Sequence, residues 1–346
     1  MVKSIAKLIS NPVAGSPFSL FLIGFFVLAP SFLNAAECKN RGDLDVRYCD
    51  ENNDLVADTP KNSAEWLDPR PLIFSYTPVE DPSVYENVFT EFMKYLGSKT
   101  GKPVRWYGAE SYAAQVEAMR SGRLHVAGIS TGPTVFGVNL AGYVPFAIMC
   151  QGDGTFGYKL QLITHASSNI RSMKDLKGRK VAHVTPSSNS GHQAPVALFK
   201  DLGVTPDKDY KVVFSGKHDN SILGVANKDY DAAPIASSVL DRMIEKGVVK
   251  REDLRVIWES DPFPTTSYGM AHNLRPELQT KVREAFLTFD WKGTGLAKEF
   301  GKQANRFCPI TFKDQWKPIR IIQKDNKVVY NAAALQAEDA ELKKKK

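Results

Sequence analysis

The sequence predicts an α/β protein of two lobes, with mainly parallel sheets flanked by helices. Three observations predict it. The chain has 346 residues, enough for about two domains. Short β-prone runs alternate with amphipathic segments at helical spacing. Two such blocks are joined by the apolar stretches 144–150 and 158–164. A balance of 43% hydrophobic and 24% charged residues excludes wholesale disorder. No self-similar period marks a solenoid or propeller.

In the first block, 72–76 (LIFSY) reads as a buried strand. A helix is expected over 82–96, where Val84, Val88, Phe89, Phe92, Met93 and Leu96 recur at helical spacing. A strand at 104–107 precedes a helix capped by Ser111 and ending at Gly122. The strand 124–128 runs through a turn at Gly132-Pro133 into a short helix. In the second block, strands are expected at 180–184, 210–214, 231–235 and 254–258, alternating with helices at 190–202, 220–227 and 237–246. Helices near 276–287, 295–300 and 313–324 close the chain. In this architecture a ligand sits at the carboxyl ends of the strands, between the lobes.

The amino terminus has the order of a secretory signal. Lys3 and Lys7 precede the apolar run 18–29, and Leu33-Asn34-Ala35-Ala36 follows with small residues at the cut. Cleavage is expected after Ala35 or Ala36. The run has 12 residues, short of the roughly 20 that span a bilayer. Glu37 stands before Cys38, where a lipoprotein signal needs a small residue, so a soluble exported protein is expected. The net charge of +7 includes Lys3, Lys7 and the terminal Lys343, Lys344, Lys345 and Lys346; setting those six aside leaves +1. A nearly neutral body does not suit nucleic acid, so no such partner is expected.

Four cysteines, Cys38, Cys49, Cys150 and Cys308, suit two disulfides in an oxidising compartment. Three connectivities are open; Cys38–Cys49 with Cys150–Cys308 is preferred because the first two share a short segment. No CxxC marks a metal site among them. Asp50, Asn52, Asp54 and Asp58 place side-chain oxygens at positions 1, 3, 5 and 9 of a loop that suits Ca²⁺. It lacks the glycine and distal glutamate of an EF-hand, so a polar turn stapled by Cys38–Cys49 competes. No GxSxG, HExxH or Walker pattern is present and the six histidines are scattered, which argues against an enzyme.

Three ordered motifs carry a resemblance. The first is ESYAAQVEAMRSG at 110–122 with LHVAG at 124–128. The second is TPSSNSG at 185–191 with Pro195, and the third is SGKHDNS at 215–221 with VAN at 225–227 and DAA at 231–233. Together they resemble the phosphonate/phosphite group of periplasmic substrate-binding proteins of ABC importers, over residues 70–325. The resemblance implies a type II Venus-flytrap fold with a two-strand hinge near 156–160 and 264–268. Lobe 1 would hold 71–157 and 267–330, and lobe 2 would hold 158–266. A signal at 1–36, a polar extension at 37–70 and a charged tail at 331–346 complete the division. Such a protein closes on its ligand by hinge motion. It works in the periplasm, as a monomer, with a membrane permease and ATPase, and needs no cofactor beyond the possible structural Ca²⁺.

The candidate ligand residues follow from local chemistry and from the resemblance. Ser188, Asn189, Ser190 and Gly191 open a helix after a strand, where backbone N–H groups and the helix dipole favour an oxyanion. The family commonly has Thr where Asn189 stands; an ordinary N-cap is the competing reading. The resemblance gives His218 a contact with phosphorus-bound oxygens, with added charge if protonated, while Lys217 reads as solvated. Ser130, Thr131 and Thr134 end a strand on the opposite side, and Tyr76 and Thr77 end another; Tyr107 reads rather as packing. Ile129 stands where many members have an aromatic. Members that take aminoalkylphosphonates place acids against the ammonium group, and the matching positions hold Ser238 and Thr266. That favours phosphite, methylphosphonate or a related amine-free oxyanion. A sister branch senses arsenite through a cysteine and signals to a membrane histidine kinase; the matching position is Leu140, which weakens that alternative.

Overall fold

Two β-sheets flanked by helices organise the computed structural model, which describes residues 38–343. The signal expected over 1–36, with its cleavage point, lies outside the described residues, as do Lys344, Lys345 and Lys346. The first strands are β1 (Leu72–Tyr76), β2 (Val104–Trp106), β3 (Val126–Ile129) and β4 (Tyr143–Cys150). Then come β5 (Leu160–His165), β6 (Lys180–His183), β7 (Lys211–Phe214), β8 (Ala232–Ala236) and β9 (Leu254–Glu259). Finally β10 (Ser267–Ala271) and β11 (Arg306–Pro309) return. The sheet orders are β11-β4-β10-β3-β1-β2 and β7-β6-β8-β5-β9.

The sheets are mixed, which corrects the expectation that they are mainly parallel. β1 pairs in parallel with β2 and β3, and β6 with β7 and β8. The other pairings are antiparallel. The reason is the double crossing. The chain leaves the first sheet along β4 and re-enters it along β10, its antiparallel neighbour. It enters the second sheet along β5 and leaves along β9, again side by side. Between the sheets the two crossings themselves pair: Tyr158 N–H donates to Phe263 O at 3.0 Å and Phe263 N–H to Tyr158 O at 2.8 Å. β10 and β11 escaped the sequence reading. β10 holds Gly269, where a Cβ would stand 2.5 Å from Val144 O, so close strand approach decides that residue rather than β propensity.

Several helices differ from expectation for local reasons. The segment 82–96 forms two helices, Ser83–Val88 and Thr90–Thr100, broken at Phe89. The Phe89 ring is buried against Phe74, Tyr76 and Phe92. Gly132 and Pro133 are not a turn; they lie in the first turn of the helix Thr131–Ala141. Proline fits there because the N–H it lacks has no intrahelical acceptor. The segment 190–202 opens as a wide π turn, Asn189–Gln193, before the helix Ala194–Leu198. Within 331–346, expected as a charged tail, Ala332–Lys343 is a helix with Leu335 and Glu338 buried.

The first lobe's core is aromatic. Phe92, Tyr268, Phe286 and Phe307 meet at tilted or edge geometries between the sheet and the helices Thr90–Thr100 and Pro276–Thr288. Both preferred disulfides form, Cys38–Cys49 and Cys150–Cys308, the second joining β4 to β11. In the loop 50–58, Asp50 accepts from the Asp54 and Leu55 amides at 2.9 and 3.0 Å, Asn52 from Asp54 at 2.9 Å, Asp54 from Val56 at 3.1 Å and Asp58 from Glu51 at 2.6 Å. These oxygens close a polar turn. Among the described residues no three His, Cys, Asp or Glu side chains group to hold a metal.

Candidate functional site

A cavity of about 70 Å³ lies between the two sheets, beside the paired crossings. Tyr76 reaches it from the end of β1, and Ser130 and Thr131 from the end of β3. Ser188 and His218 reach it from the second lobe, each at the start of a helical segment. Of the other expected residues, Thr77, Thr134, Asn189, Ser190 and Gly191 stand outside its wall.

The turn after β6 follows from its residues. Ser188 Oγ accepts from Gly191 N–H at 3.2 Å and caps the turn. Gly191 is required by crowding: a Cβ would stand 2.4 Å from Val184 Cγ2. Asn189 Nδ2 donates to the Tyr158 hydroxyl at 3.1 Å, tying the turn to the crossing chain. Asn189 Oδ1 and Ser190 Oγ are buried without a hydrogen-bond partner among the described residues, as is Thr77 Oγ1. Thr134 serves the fold: its hydroxyl bonds Ile129 O, Ser130 O and the Ser267 hydroxyl. Thr131 Oγ1 donates to Pro264 O at 2.8 Å.

His218 is buried, and its protonation pattern follows from one bond. Ala236 N–H donates to Nδ1 at 3.2 Å, so Nδ1 carries no proton and the neutral ring holds its proton on Nε2. Burial lowers its pKa to about 3. His218 therefore offers a neutral N–H donor rather than the added charge considered from sequence. The backbone N–H of His218 donates to Val79 O of the first lobe at 3.2 Å.

Arg242 was missed by sequence reasoning. It sits on the helix Ser237–Glu245 among Val239, Leu240 and Met243, a pattern that reads as an ordinary amphipathic surface helix. It lines the cavity and is 4% exposed. It donates to Glu80 at 2.6 Å and to Gln303 at 3.3 Å, and pairs with Glu299 at 3.5 Å. Tyr85 donates to Glu80 as well. Burial alone raises the Glu80 carboxyl, but the Arg242 charge and these hydrogen bonds bring it below its ordinary value. Lys246 also pairs with Glu299, so two cations and two carboxylates balance beneath the cavity. Among the described residues the cavity wall holds no carboxylate; Ser238 and Thr266 are both part of it. Gln303 joins them, its amide donating to Ser238 O at 3.0 Å.

The lobes are in close contact. A Cβ on Gly132 would stand 2.1 Å from Ser187 O and 2.8 Å from Asn189 N. This glycine lets a first-lobe helix start approach the second-lobe turn.

A model of the family described as ABC transporter, phosphonate, periplasmic substrate-binding protein matches residues 74–316. A "Phosphate-import protein PhnD" from Mycolicibacterium smegmatis is 31% identical over 282 residues, which is 78% of this chain and 87% of that protein. The "Phosphonates-binding periplasmic protein" of Escherichia coli is 25% identical, over 63% of this chain and 66% of its own length. Among solved structures, a binding protein component of an ABC phosphonate transporter from Pseudomonas aeruginosa is 26% identical with a TM-score of 0.68, covering 80% of this chain and 97% of its own. PhnD1 from Prochlorococcus marinus in complex with methylphosphonate shares the fold, with a TM-score of 0.67 at 20% identity, covering 75% of this chain and all of its own.

Proposed function

The chain belongs to the phosphonate family of ABC-transporter periplasmic substrate-binding proteins, and on that premise we propose that it captures a small amine-free phosphorus oxyanion, methylphosphonate or phosphite, in the cleft between its lobes. The observation that carries this reading is the cavity wall. It offers neutral donors and one neutralised arginine, and no carboxylate. A bare carboxylate is what an ammonium-bearing phosphonate would need and what an amine-free anion would be repelled by.

In this reading Ser130, Ser188 and His218 Nε2–H donate to the phosphorus-bound oxygens. Asn189, Ser190 and Gly191 supply the start of the helical turn behind Ser188. Thr77 and Ser190 hold buried hydroxyls that a ligand-driven adjustment can engage. Tyr76 and Thr131 shape the wall, and Val79, Val239 and Phe300 give a methyl group an apolar side. Thr134 acts by fixing the end of β3. Ligand closure then presents the protein to a permease and its ATPase. The exported chain acts as a monomer once a signal at 1–36 is removed.

The reading is tested by calorimetric titration of methylphosphonate, phosphite, phosphate, sulfate and 2-aminoethylphosphonate. Phosphate belongs in the panel because the M. smegmatis relative is named for its import. Selective binding of methylphosphonate or phosphite is expected. Preference for 2-aminoethylphosphonate would overturn the amine-free pocket. The arsenite-sensor alternative is not proposed: Leu140 is buried in the core of the helix Thr131–Ala141 and offers no thiol.

A further inference from the structure

The helix Ala332–Lys343 belongs to neither sheet and touches both lobes. It packs on the first-lobe helix Tyr112–Arg120, where Ser111 Oγ donates to Asp339 at 2.5 Å. From the adjacent position Glu338 enters the second lobe. Glu338 is 4% exposed, and its carboxyl group receives two hydrogen bonds from one residue. Ser187 N–H donates to Oε2 at 2.9 Å and Ser187 Oγ to Oε1 at 2.8 Å. The Thr185 hydroxyl bonds it as well. Ser187 immediately precedes the cavity-lining Ser188, and its carbonyl is the group that Gly132 approaches.

We propose that Glu338 is a positioning residue for the ligand-holding turn, and that the C-terminal helix is a strap that carries it from the first lobe onto the second when the lobes are closed. This inference rests on reading the cleft as the oxyanion site. Ser187 is gripped on one side by Glu338 and abutted on the other by Gly132, so the direction in which Ser188 and the following N–H groups point is set by both. Hinge opening must break the Glu338–Ser187 bonds or pull Asp339 from Ser111, so the strap favours closure.

The strap also couples to protons. Burial raises the Glu338 pKa to about 7, against lowering by the Ser187 and Thr185 hydrogen bonds. The ionisable groups around it are Asp339 on its own helix and Tyr112 on the helix beneath. The segment that meets Leu342 at Gly216 carries Lys217 and Asp219. A raised carboxyl pKa means that docking is fully favoured below the ordinary value near 4.5 and weakens as pH rises through about 7. The neutral carboxyl keeps both Ser187 bonds by accepting from N–H and donating to Oγ, and places no negative charge behind a bound anion.

The test uses the full mature protein and its Glu338→Gln and Glu338→Ala variants, with methylphosphonate as the titrant at pH 6 and pH 8. Hydrogen exchange of residues 185–190 is followed in the ligand-free proteins. Glutamine can replace the neutral carboxyl, so E338Q is expected to bind as tightly at pH 8 as at pH 6, whereas the parent weakens several-fold. E338A leaves Ser187 N–H unpaired; it is expected to bind about tenfold more weakly at both pH values, with faster exchange at 185–190. Parent-like binding and exchange in E338A would overturn the proposal, as would E338Q behaving like E338A. If the parent fails to bind methylphosphonate, the cleft reading fails instead, and the exchange of 185–190 in E338A still judges the strap.

Discussion

Arg242 of the second lobe donates to Glu80 of the first at 2.6 Å, and both side chains are buried. The pair ties the lobes together directly beneath the cavity. Removing one partner strands the other charge, which typically costs about 3–5 kcal/mol. Arg242→Met should therefore lower unfolding free energy by about that amount, measured by urea titration. Adding Glu80→Gln should recover much of the loss, since the stranded charge is gone. The Glu80 pKa is depressed, so its contribution is present above its ordinary value and is lost as pH falls through the depressed one.

His218 holds Ala236 N–H on one nitrogen and faces the cavity with the ring that carries the other. His218→Ala removes the proposed donor and leaves a buried amide unpaired. Methylphosphonate affinity should fall by about 10–100-fold, corresponding to about 1–3 kcal/mol. Titration calorimetry reads the change, and affinity equal to the parent's would remove His218 from the ligand set.

Burial keeps His218 and His192 neutral, lowering their pKa values to about 3 and about 4, and it lowers His183 well below its usual value. The stability carried by these neutral rings is present above about pH 6.5 and is lost as pH falls towards the depressed values. The melting temperature should drop steadily from pH 6.5 to pH 4.5, and His192→Gln should flatten part of the slope. A flat profile in the parent would contradict the burial of neutral imidazoles.

Gly132→Ala would put a methyl group 2.1 Å from the Ser187 carbonyl. The backbone there is helical, so the clash acts on lobe approach rather than on the helix. Overpacking of this kind costs about 1–3 kcal/mol, so ligand affinity should fall by about tenfold or more. Scattering should report a more open average shape in the variant with ligand present, and parent-like closure would refute the point.

Ser238 and Thr266 lie on a wall without carboxylates. Ser238→Glu places a negative charge on this wall, facing the proposed anion. Juxtaposed like charges cost several kcal/mol, so methylphosphonate affinity should fall at least about 100-fold. The preference for 2-aminoethylphosphonate over methylphosphonate should rise. If both ligands weaken equally, the residue does not read the amine.

The α/β class, most strands, the Ser111 cap and the Cys38–Cys49 disulfide were legible in the sequence. They depend on local periodicity, turn chemistry and spacing, which neighbouring residues express. The Ser188-capped turn after β6 was legible for the same reason, since a strand, a serine cap and a glycine sit side by side. The tertiary structure alone decided the rest. Nothing near Arg242 in the chain foretells Glu80 or Glu299, and nothing near Glu338 foretells Ser187, 151 residues away. The mixed sheets came from a double crossing that no short window contains. Buried charges and closing contacts join distant segments, so their partners are set by packing rather than by sequence neighbours.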